Sequence, residues 1–141
     1  MFKTTDIYLF TIALFLATNN LYAQDHILGN GQLENAFSSW GTPSLQGDWK
    51  IISTGNKTVL ELGENFKAKG GPDVKIFFSP LKASQVTGKN ASDGSAYVTQ
   101  ISVFEGKNII EIPANISPDD FQSLVFHCEA YSKLWGVSAL R

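Results

Sequence analysis

The chain has 141 residues, a formal net charge of -2 and 43% hydrophobic residues. That length supports one domain around one hydrophobic core, and the weak acidity leaves no electrostatic footprint for nucleic acid or anionic lipid. Cys128 is the only cysteine, so no disulfide can form within the chain and packing must hold the fold.

Residues 1–23 read as an export signal: Lys3, an apolar run over residues 7–17, then a polar stretch ending at Ala23. The run is shorter than the about 20 apolar residues that span a bilayer. Cleavage after Ala23 makes Gln24 the first mature residue. The expected location is therefore periplasmic or extracellular, with no transmembrane anchor once the signal is removed. No cysteine lies near the junction to carry a lipid.

Beyond the signal, glycine, serine and asparagine recur between short apolar runs, which predicts an all-β fold, a single-domain sandwich or barrel-like set of antiparallel sheets. Residues 24–46 read as an irregular N-terminal segment with a turn of helix over 34–39, and His26 as a loosely held residue beside the new terminus. Residues 48–53 and 58–62 flank a hairpin turn at Thr54-Gly55-Asn56-Lys57. The turn Gly70-Gly71-Pro72-Asp73 leads into residues 74–79, whose nearly continuous apolar side chains predict a central strand. Residues 81–95 read as a polar loop with a short strand near Leu81. Residues 96–104 and 108–112 flank Gly106 and predict a second hairpin, stopped by Pro113. Ser117-Pro118-Asp119-Asp120 predicts a short helix near residues 117–122. Residues 124–131 alternate as a strand, Leu134-Trp135-Gly136 reads as a turn, and residues 137–140 as the last strand.

Alternation places Leu124, Phe126, Cys128 and Ala130 on an apolar face, with Val125, His127, Glu129 and Tyr131 on a polar one. A core cysteine is a small hydrophobe rather than a ready nucleophile. His127 then points away from Cys128, so the two cannot easily bind one metal. Two histidines and one cysteine make no zinc or copper set, and no CxxC, HxxxH, haem-attachment or GxSxG motif is present. No metal site and no catalytic residue is therefore assigned. Trp40, Trp49 and Trp135 suit either a core or a sugar-stacking surface.

From Gly47 to the end, the order of features resembles the DM-13 domain family. The resemblance rests on Trp49, on residues 60–66 and 70–79 with Gly71, Pro72 and Asp73, on Ile112-Pro113, on Phe126-His127-Cys128-Glu129, and on Leu134-Trp135-Gly136. In this chain Ile110 stands where the family often has a tyrosine. The resemblance implies an all-β extracellular domain with an electron-transfer role centred on Cys128; His127 and Trp135 are candidate auxiliary residues beside it. No recognisable motif encodes a cofactor, so haem or metal would come only through a separate redox or haem-binding partner. The alternative reading is an extracellular binding or structural module for a glycan or protein ligand, in which Cys128 is only core packing.

Overall fold

The computed structural model describes residues 24–35 and 45–141; the expected signal, residues 36–39 of the expected helical turn, and Trp40 lie outside the described residues. The described strands are β1 (His26–Asn35), β2 (Leu45–Thr54), β3 (Lys57–Leu62), β4 (Lys67–Ala68), β5 (Val74–Ser79), β6 (Ala96–Gln100), β7 (Asn108–Glu111), β8 (Ser123–Cys128) and β9 (Lys133–Ala139). They form one antiparallel sheet in the order β6-β5-β8-β9-β1-β2-β3-β7, with β4 added to β2. The sheet curls into a nearly closed barrel, because residues 101–107 carry the chain from one end of it to the other. Ile101 N–H bonds to the Val74 carbonyl, Ala68 N–H to the Phe104 carbonyl and Gly106 N–H to the Phe66 carbonyl, at 2.9, 2.8 and 2.9 Å.

Strand identity follows local sequence where the strands are apolar and regular. β2 and β3 pair from Trp49↔Leu62 to Thr54↔Lys57, and Gly55 takes the positive φ of 73° that their tight turn requires. β5 is interior, between β6 and β8.

Elsewhere the structure corrects the expectations. Residues 26–35 are not irregular: β1 fills the place between β9 and β2, and His26 pairs with Ser53. Gly29 and Gly31 obscure the strand pattern, and Gly31 makes room for the Trp49 indole, which lies 3.0 Å from where a Cβ on it would be. Residues 96–112 are not a hairpin, since β6 pairs with β5 and β7 with β3. No strand forms near Leu81; a 3-10 turn follows at Ala83–Gln85. The helix near 117–122 is a single 3-10 turn, Pro118–Asp120, and the Ser117 side chain makes no cap bond. β8 stops at Cys128, where a 3-10 turn over Glu129–Tyr131 begins.

Leu134-Trp135-Gly136 is a β-bulge within β9 rather than a turn. Its register against β8 shifts between His127↔Leu134 and Phe126↔Gly136, leaving Trp135 as the extra residue. Glycine is required at 136 because a Cβ would run into the Leu45 side chain and the Glu34 carbonyl.

The barrel interior holds Leu45, Trp49, Leu60, Leu62, Ile76, Phe78 and Phe126, all essentially unexposed. Phe66 and Phe126 meet in it with ring centroids 6.1 Å apart. The buried Trp49 indole donates from Nε1 to Ser138 Oγ at 2.8 Å, so its polar edge is not orphaned. A second, smaller cluster lies outside the barrel: Phe77 and Val125 packed against Val86 and Ala91. Residues 81–95 fold over the outer face of β5, β8 and β9 to form it.

Candidate functional site

β8 alternates as expected over its own length. Leu124, Phe126 and Cys128 join the barrel core, and Cys128 is fully shielded at 0% exposure. It pairs with Val74 on β5 and Lys133 on β9, and the chain surfaces at once in exposed residues 129–131. The sulfur therefore sits at the end of a core strand, one residue from solvent-exposed backbone.

Trp135 turns inward at the bulge and is 3% exposed. Its Nε1 donates to the Lys69 carbonyl at 2.7 Å, tying β9 to the turn before β5. Gly71 lies above the same ring, where a Cβ would stand 3.0 Å from Trp135 Cζ2. Asp73 completes this turn by holding the backbone that follows Cys128. Its carbonyl accepts the Glu129 N–H at 3.3 Å, and its Oδ2 accepts the Ala130 N–H at 3.1 Å. Lys75 bridges Asp73 Oδ1, at 3.3 Å, and Glu129. The Glu129 hydrogen bond is the main reason the Lys75 ammonium is held above its usual range. Gly71 and Asp73 thus share one task, to seat Trp135 and pin the turn after Cys128, while the Pro72 carbonyl between them accepts from Gln100 Nε2 at 3.5 Å. Ser132 ends that turn at φ 50°, a left-handed conformation costly for a residue with a Cβ.

His127 lies on the other face, as alternation requires, but that face is not solvated. The residue is 3% exposed and its Nδ1 has no hydrogen-bond partner. Burial is the main cause that pushes its pKa below 6.5, with Lys75 adding to it; a hydrogen bond to the Lys133 backbone, Glu129 and Asp73 act in the opposite sense. The expectation of a polar face failed because residues 81–95 cover it. The available signal was small: Val86 and Ala91, two apolar residues in a polar stretch, are the ones buried there. Gly88 lets this segment approach, since a Cβ there would collide with the Ser132 carbonyl.

The remaining singled-out residues lie apart from this site. Pro113 follows the buried Ile112 after β7 and accepts the Ile116 N–H at 2.9 Å, so it ends a strand and begins a turn. Ile110 pairs with Leu60 and packs against the barrel core. Trp49 and Trp135, at 1% and 3% exposure, offer no surface on which a sugar could stack. Among the described residues, no three His, Cys, Asp or Glu side chains gather as metal ligands do.

A family model described as electron transfer DM13 matches residues 37–140. The match begins ahead of Gly47 and leaves out β1, although β1 completes the barrel between β9 and β2. Searches of the curated proteins and of the solved structures found no match. With the model running over most of its length, the chain belongs to the DM13 electron-transfer family.

Proposed function

We propose that this protein is an exported electron-transfer module whose redox residue is Cys128. The observation that carries the reading is the position of the sulfur. The only cysteine of an electron-transfer family domain lies at the end of a core strand, beneath a turn held by Asp73 and Lys75. In the oxidising direction, Cys128 gives one electron to a redox centre carried by a partner protein of haem or comparable class. Its thiol proton goes to solvent through the opened turn. Return of one electron and one proton restores the thiol. The apolar surroundings protect the sulfur between these events, since it is the exposed thiolate that reacts indiscriminately. The apolar run that opens the sequence supports export to the periplasm or cell exterior.

The test is an oxidative titration of the purified protein with a mild one-electron oxidant of the ferricyanide class. Wild type is expected to consume oxidant in proportion to chain, and Cys128→Ala none. Equal consumption by both would remove Cys128 from the function.

A second reading is a binding module in which Cys128 is packing. It is favoured by the complete burial of Cys128 and by exposed apolar residues near the two ends of the sheet, with Ile109 at 63%, Tyr97 at 49% and Val103 at 47% exposure. Ile109→Lys would abolish partner capture in this reading and leave electron uptake unchanged in the first.

A further inference from the structure

Among the described residues, His127 Nδ1 is the buried side-chain polar atom without a hydrogen-bond partner. The ring stands against Phe77, centroids 6.5 Å apart. Residues 81–95 cover this face, and they are held together mainly by themselves. Thr87 N–H bonds to Asn90 Oδ1 at 2.7 Å, and Asn90 Nδ2 bonds to the Gln85 carbonyl at 3.1 Å. Their polar ties to β8 gather at the start of the segment, where Ser123 Oγ donates to the Leu81 carbonyl at 2.8 Å and Gln122 Nε2 to the Pro80 carbonyl at 2.8 Å. Farther along, the segment is held by Val86 and Ala91 and by the close approach of Gly88 to Ser132. This is a flap tied to the sheet at both ends, where β5 ends and β6 begins, and seated between them by a small apolar contact.

We infer that residues 81–95 and the turn after β8 form an acid-sensitive latch over the outer face of the barrel, with His127 as its proton-sensing residue. A neutral imidazole suits the slot, because it brings no charge into a face packed by Phe77, Val125, Val86 and Ala91. A second proton on Nδ1 would bury both a charge and an unpaired donor. The charged groups around the ring are Glu129 on its own chain segment, Asp73 and Lys75 from the β5 side, and Lys133 from β9. Lys82, Lys89 and Asp93 of the flap are exposed. Asp73 and Glu129 are already bridged by Lys75. The protonated ring must therefore leave its slot to reach them or water, which lifts the flap from Ser132. The consequence for Cys128 rests on the redox reading above: a loosened turn uncovers the end of β8 under acid conditions.

Amide hydrogen exchange of the whole protein, corrected for intrinsic rates, tests this between about pH 7.5 and about pH 5. Protection in residues 81–95 and 129–134 is expected to fall below pH 6.5, the ordinary histidine value, by up to about tenfold per pH unit, the limit for one proton. β2 and β3 are expected to keep theirs. His127→Phe, which suits the apolar slot, is expected to abolish the response, as is His127→Gln. The His127 ring followed by NMR in wild type must stay neutral at the start of that decline and titrate at its acid end, below 6.5. The latch is overturned if both segments stay protected at the lower pH, if either variant responds as wild type does, or if the ring titrates at or above 6.5. Cys128→Ala must show the same acid response; that result stands whether or not Cys128 exchanges electrons.

Discussion

The two faces of β8 differ in what covers them. The inner face, Leu124, Phe126 and Cys128, is buried by strands from the whole chain and contains no unsatisfied side-chain polar group. The outer face, Val125 and His127, is buried by one local segment and contains an orphaned nitrogen. The same strand therefore carries a side buried by the barrel core and a side buried by a smaller cluster, the one the latch proposed above acts on. The turn after Cys128 joins the two.

The largest expected effect separates these faces by stability. Phe126→Ala removes a fully buried ring from the barrel interior and should cost about 3–5 kcal/mol by chemical denaturation. Phe77→Ala, on the outer face, should fall at or below about 3 kcal/mol, because the flap can settle into the space. Equal losses would mean that the outer layer is as much a part of the core as the barrel interior. Next comes Trp135→Phe, which keeps most of the apolar bulk and loses the bond to the Lys69 carbonyl. It should cost about 1–2 kcal/mol and raise exchange in residues 69–73 and 129–134 together. A loss confined to one of these segments would break the link between bulge and turn.

The pH dependence follows with its sign. The His127 pKa is lowered in the folded state, so the unfolded chain binds the proton first as pH falls below 6.5. Stability should decline from there until the folded ring also titrates, and His127→Phe should flatten that decline in denaturation curves taken across the range. The smallest effect belongs to the barrel surface. Burial alone pushes the Glu61 carboxyl up, but hydrogen bonds from Lys107 and Lys50 outweigh it and hold it below 4.5. The ammonium groups lie 3.2 and 3.3 Å away and are half-exposed. Lys107→Met should therefore cost less than about 1 kcal/mol near neutral pH, and the difference should vanish in acid. A larger loss would show that the surface charges do more than the faces of β8.

These contrasts also mark what could be read from the residues. Val74 to Ser79 is legible as an interior strand because apolar, β-branched and aromatic side chains run through it, broken only by Lys75 before the terminal Ser79. Cys128 was placed inward by simple alternation, and the Gly71-Pro72-Asp73 turn by its chemistry and its family resemblance. Three features were not legible, each because a distant partner decides it. β1 carries Gly29 and Gly31, which look like turn residues until Trp49 lies across them. Trp135 and Gly136 look like a turn until Leu45 and Glu34 press against residue 136. His127 looks solvated until Val86, Gly88 and Ala91 fold over it. The 96–112 hairpin failed for a related reason: a glycine turn allows two strands to pair locally, but β5 and β3 offered better partners.

The central claim is that Cys128 is a redox thiol reached by opening the turn rather than by unfolding the barrel. The most direct measurement is the rate at which a thiol-trapping reagent labels Cys128 in the native protein, set against the global unfolding rate and repeated in Asp73→Asn. The account predicts labelling well ahead of global unfolding, and about tenfold faster once the Ala130 N–H and Lys75 lose the Asp73 charge. Labelling that keeps pace with global unfolding in both chains would contradict it and leave Cys128 a core residue.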